Sequence, residues 1–183
     1  MNSFYTEKEL SELGLKKYGT NILISRKCSI YSPEKISLGN HVRIDDFCVL
    51  SGNINLGSYI HISTYCALYG ANTVEMEDYT GLSPRCTVFS ASDDFSGDYL
   101  ISPMVDNSKT NVTGGKVLIK KYSQIGANTV ILPSVTINEG VAVGAMSLVN
   151  KSLDEWGIYA GTPAKRIKER KKELLKFIQI NEK

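Results

Sequence analysis

Four cysteines, two histidines and the Asp93–Asp94 pair are the residues of this chain whose types and spacing most readily suggest chemistry. Cys28, Cys48, Cys66 and Cys86 have the right number for a zinc site or two disulfides. Their separations of 20, 18 and 20 are those of a repeat, not of a metal knuckle. His41 and His61 are too few for a three-histidine zinc centre, so no metal is expected. Asp93 and Asp94 open the stretch "DDFSGDYLISPMVDNSKTNVTGGK", residues 93–116, rich in Gly, Pro, Ser and Asn. A carboxylate at the head of such a loop either holds a cationic group and accepts its proton, or caps the first turn. Neither the GxxxxGK[ST] nor the GxGxxG phosphate loop is present, so triphosphate and Rossmann chemistry are not suggested.

The elements that must position these residues follow from a period of six. Aliphatic residues recur at Leu38, Ile44, Leu50, Leu56, Ile62 and Leu68, and again from Ile119 through Ile125, Ile131, Ile137 and Val143 to Val149. Met76, Leu82 and Val88 share the phase after a two-residue insertion assigned to Val74 and Glu75; Ile24 and Ile30 join after another near Ile36. Helices repeat every 3.6 residues and half-buried strands every two, so six fits neither. It fits a chain that turns a corner every six residues and stacks triangular coils of 18. All four cysteines then lie four residues after an anchor, where the other repeats carry Val, Thr or Ser, and they pack as small hydrophobes in one ladder.

The predicted organisation is a single domain over 1–183. An N-terminal helical cap spans 1–20, signalled by the capping box "TEKE" at Thr6–Glu9. Coils run over 21–92 and 117–151, and the excursion over 93–116 leaves the repeat. An extension over 152–183 follows, in which "AKRIKERKKELLKFIQI" puts Ile167, Leu174, Leu175 and Ile178 on one face of a C-terminal helix. Net charge is only +2, so nothing global calls for nucleic acid or an anionic membrane. No apolar run reaches the length of a membrane span, and the first residues lack a signal-peptide core. A cytoplasmic protein is expected.

The coils, the excursion and the terminal stretch "GAMSLVNKSLDEWGIYAGTPAKRIKER" together resemble the hexapeptide-repeat acyltransferases. The resemblance implies an all-β solenoid, a left-handed parallel β-helix, assembled as a homotrimer with its active site between subunits and acetyl-CoA as acyl donor. Within that superfamily "VRIDDFCVLSGNI", "IHISTYCALYGA" and "GLSPRCTVFSASDDFSG" are similar to the viosamine acetyltransferases. That likeness implies N-acetylation of a nucleotide-linked amino sugar, dTDP-4-amino-4,6-dideoxy-D-glucose, for O-antigen or capsule biosynthesis. A γ-class carbonic anhydrase shares the β-helix but needs three histidines, more than this chain has.

Related galactoside and maltose acetyltransferases activate a sugar hydroxyl with a histidine; the matching position here is Asp93. An amine of pKa near ~8 is already about one-tenth neutral at pH 7, whereas an alcohol needs a base. An amino-sugar acceptor held by Asp93 or Asp94 is therefore the leading expectation. Sugar or polysaccharide O-acetylation with His61 as base is the alternative, and a non-catalytic β-helix binding protein the second. By the same motif matching, Ser63 and His61 are substrate contacts. Arg85, Tyr69 and Phe95 flank the excursion as candidates for a diphosphate or base. Ala127, Ala145, Asn150, Lys151, Lys165 and Lys168 match coenzyme A contacts.

Overall fold

The computed structural model describes residues 3–178. The period of six is the length of one prism edge. Three residues after the anchors Leu38, Ile44, Leu56 and Ile62 the backbone enters the left-handed region: φ is 56° at His41, 61° at Phe47, 59° at Tyr59 and 61° at Tyr65. That conformation costs an L-residue about 1–2 kcal/mol, and it turns the chain through a corner before the next short strand. Much of the cost is offset by stacking, because the corner side chains lie over one another. His41, Tyr59 and Tyr79 form one such column, with ring centroids 4.7 and 4.6 Å apart.

Three faces result. Face A stacks Ile24, Ile44, Ile62, Leu82, Ile125 and Val143 in parallel register. Face B stacks Ile30, Leu50, Leu68, Val88, Ile131 and Val149. Face C stacks Leu38, Leu56, Met76, Ile119 and Ile137. Every anchor but Ile30, half-buried in the first coil, is buried. Each such side chain contributes about 1.5–3 kcal/mol relative to exposure, so the sixfold pattern is the core of the parallel β-solenoid.

The cysteines form the expected ladder at the corner between faces A and B. The thiols of Cys48, Cys66 and Cys86 donate to the carbonyls of Ser63, Ser83 and Gly126, each at 3.1 Å. Cys28 does the same to Asp45 at 3.0 Å. All four are free thiols. They pack coil on coil.

One insertion lies elsewhere than the sequence spacing suggests. Val74 and Glu75 pair in register with Ile54 and Asn55. The extra residues are at the B–C corner, within Ala71–Thr73, where Thr73 has φ 79°. A corner absorbs added residues without shifting the core ladder, which a strand cannot do. The excursion leaves from the same corner one coil later. Its neck is an antiparallel pair, Ala91–Ser92 against Thr113–Gly114, and Gly115 N–H donates to Ser90 O at 3.0 Å.

The two ends differ from each other. At the N-terminus the capping box is formed: Thr6 Oγ1 accepts from Glu9 N–H, and Glu9 Oε2 accepts from Thr6 N–H at 2.7 Å, opening the helix Glu7–Glu12. At the C-terminus the long helix expected from Ala164 is not there. Lys165–Glu169 is a strand, antiparallel to Gly157–Ala160, and Ile167 is 61% exposed. The last coil presents a row of unpaired backbone groups, and pairing them outweighs the local helical preference. Within the stretch expected as helix, only Leu175–Ile178 is helical, and the last two residues of that stretch lie outside the described ones. No helix among the described residues is long and apolar enough to cross a membrane.

Candidate active site

Asp93 and Asp94, adjacent in sequence, have different surroundings. The Asp94 carboxylate accepts from Ser96 N–H at 2.7 Å, from the Ser96 hydroxyl, and from Asn111 Nδ2 at 3.0 Å. Those bonds, Ser96 foremost, hold its carboxyl below the usual carboxylate range. Asp94 ties the outgoing arm of the excursion to the returning one. The Asp93 carboxylate has no hydrogen-bond or ionic partner among the described residues. It lines a cavity of about 250 Å³ with Phe89, Phe95, Leu132 and Pro133. An open carboxylate on an apolar cavity at the root of a loop suits it to receive a cationic group; a tied one does not.

Tyr69 joins this region through its ring, stacked on Phe89 at 5.3 Å. Phe95 belongs to it directly and is 85% exposed. Arg85 does not. It forms the A–B corner, with φ 62° and its guanidinium over Tyr65 at 5.7 Å. The strand Thr87–Phe89 of face B separates it from the excursion.

Ala127 and Ala145 lie on that same A–B corner in adjacent coils, where Met146 N–H donates to Ala127 O at 2.8 Å. The chain crosses the end of this corner at Gly161–Ala164, with Ala164 N–H bonded to Leu148 O at 2.8 Å, so Lys165 emerges beside it. Arg85, Ala127, Ala145 and Lys165 therefore line one edge, running from the middle of the prism to its C-terminal end. Lys168 pairs with Ile158, further across face A. Asn150 and Lys151 follow Val149 at the B–C corner, across face B from the alanines.

His61 and Ser63 share a groove of about 500 Å³ on face A with Arg43, Tyr59, Tyr79 and Gln124. His61 Nε2 and Asp45 Oδ2 are 2.7 Å apart, and Arg43 Nε donates to Asp45 Oδ1, also at 2.7 Å. Partial burial pushes the Asp45 carboxyl up, but the bonds from His61 and Arg43 outweigh it and hold the group ionised below its usual range. Gln124 Nε2 donates to Ser83 Oγ at 3.3 Å, which joins this groove to the A–B edge.

Ser83 was not among the residues singled out from sequence. The signal was present, since Ser63 and Ser83 each follow a face A anchor and stack on one another's coils. Ser83 and Asp93 lie in one coil but on opposite edges of face B.

No family model matches the chain. The dTDP-4-amino-4,6-dideoxy-D-glucose acyltransferase of Escherichia coli is 41% identical over 181 residues, covering 97% of this chain and 94% of that one. AntD, an N-acyltransferase from Bacillus cereus solved with dTDP-4-amino-4,6-dideoxyglucose and coenzyme A, superposes with a TM-score of 0.97 at 50% identity, over 99% of this chain and 98% of that one. AntD has been solved with one serine or one aspartate replaced; the two stand ten residues apart, the spacing of Ser83 and Asp93 here. A hexapeptide-repeat acetyltransferase from Vibrio cholerae, at 19% identity, TM-score 0.65 and 93% and 81% coverage, shares the fold. The chain belongs to the hexapeptide-repeat acyltransferases, in the branch that holds the dTDP-4-amino-4,6-dideoxy-D-glucose acyltransferase of Escherichia coli.

Proposed function

We propose that this chain transfers an acetyl group from acetyl-CoA to the 4-amino group of dTDP-4-amino-4,6-dideoxyglucose. The observation that carries the reading is the open carboxylate of Asp93 where related hydroxyl-acylating enzymes have a histidine. No histidine occurs after His61, so the molecule is equipped to hold an amine and not to deprotonate an alcohol. The neutral nitrogen attacks the thioester carbonyl, the C–S bond breaks, and the nitrogen's proton passes by way of Asp93 to the departing thiolate. Ser83 supplies a donor for the oxyanion: with Gln124 Nε2 donating to its oxygen, its own hydrogen is free to point at the thioester.

Coenzyme A lies along the A–B edge in this reading, past Ala145 and Ala127, with its phosphates toward Lys165 at the C-terminal end. Lys151, Lys165 and Lys168 make no ion pair among the described residues, so their charge is available to a phosphate.

The working form is a homotrimer. Ser83 and Asp93 cannot meet within one chain, because face B stands between them. In a ring of copies with parallel axes, the A–B edge of one lies against the B–C edge of the next at the same height. Face B then faces the axis with the apolar Val49, Ala67, Val130 and Leu148. The excursion carries Leu100, Ile101 and Met104, 56%, 57% and 91% exposed, onto the neighbour. Asn150 and Lys151 approach coenzyme A from that neighbour.

Thiol release measured with dTDP- and UDP-linked amino sugars and their hydroxyl counterparts tests the assignment. The dTDP-4-amino sugar should be the best acceptor. A hydroxyl acceptor of equal or greater kcat/KM would overturn it. AntD also binds 3-hydroxybutyryl-CoA, and the apolar cavity beside Asp93 has room for a longer acyl chain. The same assay run with that donor decides between the two acyl groups.

A further inference from the structure

The Arg43–Asp45–His61 cluster on face A is not needed by the chemistry described above, yet it is built as a clamp. One carboxylate grips a guanidinium and an imidazole and fixes both. Arg43 spends only Nε on Asp45, so its terminal N–H groups have no partner among the described residues. His61 spends only Nε2 on Asp45, and its Nδ1 donates to a ligand oxygen in the imidazolium form. The Ser63 hydroxyl, one coil edge away, also has no partner among the described residues. The guanidinium is supported from beneath by the Phe4 ring at 5.4 Å. Arg43 and His61 are directly superposed, in register on adjacent strands of one face. Side chains rooted one strand spacing apart, about 4.8 Å, can converge on oxygens of two linked phosphates.

The position matters as much as the charge. Arg43 lines two cavities at once. One is the groove of about 500 Å³ with His61, Ser63 and Gln124, which leads through Gln124 to Ser83. The other, about 380 Å³, is formed with Phe4, Asp46 and Thr64 and lies toward the N-terminal end. A cationic clamp between two cavities suits a molecule whose phosphates join two bulky parts.

We propose that Arg43 and His61, held by Asp45, bind the diphosphate of the sugar nucleotide, with the sugar directed along face A to Ser83 and the nucleoside in the cavity beside Thr64. This rests on the nucleotide-sugar reading given above and adds its subsite. It also sets the direction of the two substrates. Coenzyme A occupies the edge from Ser83 toward the C-terminal end, and the nucleotide occupies the face from Ser83 toward the N-terminal end. They meet in one coil without sharing a phosphate site.

Calorimetric titration of the full chain with dTDP, with coenzyme A and with inorganic pyrophosphate as a dTDP competitor tests the clamp. Arg43→Gln should weaken dTDP at least ten-fold, and His61→Gln several-fold. Coenzyme A affinity should be unchanged in both, which also reports that each variant is folded. Pyrophosphate should displace dTDP from the wild type. If wild type binds dTDP and both variants bind it equally well, the subsite is wrong while the nucleotide-sugar reading stands. If wild type neither binds dTDP nor acylates a dTDP-amino sugar, that reading fails and the subsite with it. Asp45→Asn should weaken dTDP by loosening both side chains; tighter binding in that variant would show that the carboxylate repels the ligand and would overturn the clamp.

Discussion

Asn111 Nδ2 donates to Asp94 Oδ2 across 3.0 Å, joining two residues 17 apart in sequence at the root of the excursion. That bond leaves Asp93, one residue earlier, as the aspartate whose carboxylate opens on the cavity. It gives the pair separate tasks, and separate tasks have separable kinetics.

Asp93→Asn should lower kcat/KM for the amine acceptor about 10²-fold or more, the usual contribution of a positioned acid–base group, with coenzyme A affinity intact. Asp94→Ala should act mainly on acceptor KM, because it frees the loop and not the proton. Steady-state kinetics on both variants checks this. A value for Asp93→Asn within a few-fold of wild type removes its catalytic role.

Ser83→Ala should reduce kcat about 10²-fold, as loss of one oxyanion donor does, with little change in either KM. Ser83→Thr keeps a hydroxyl and should retain more activity than the alanine variant. If alanine and wild type turn over alike, the oxyanion donor is elsewhere.

The N-terminal cap should depend on acid. The Arg26 guanidinium, with the hydrogen bonds from Thr6, holds the Glu9 carboxyl down at about 2. An unfolded glutamate titrates near ~4.3. A group depressed in the folded state contributes fully above its unfolded value, and that contribution is lost as pH falls toward its folded value. The helix Glu7–Glu12 should therefore loosen between about pH 4.3 and 2. Amide exchange at Glu9 and Leu10 as a function of pH reads it, and Glu9→Gln should abolish the dependence.

Gly140→Ala should destabilise the last coils. Gly140 has φ 67°, and an added Cβ would lie 2.4 Å from Trp156 Cδ2. Trp156 reaches across this glycine toward Tyr122, with ring centroids 6.4 Å apart, and carries Lys172 over its own ring at 5.0 Å. Both strain and collision oppose the methyl group, so a loss above about 1 kcal/mol is expected in urea melts. An unchanged midpoint would show that the indole has room to move.

The sequence by itself determined the prism. Ile119, Ile131 and Val143 recur at six because each edge of the coil needs one buried side chain, a constraint that is local and repeats. The cysteine ladder was legible for the same reason, as was the Thr6–Glu9 cap. The tertiary structure decided what local constraints leave open. Lys165–Glu169 became a strand because the last coil offers an unpaired edge, and no property of those residues encodes that edge. Ser83 gained its place beside Gln124, and Asp93 its freedom from Asp94, through contacts between residues 41 and 17 positions apart. Such contacts have no period, so only the folded chain brings them together.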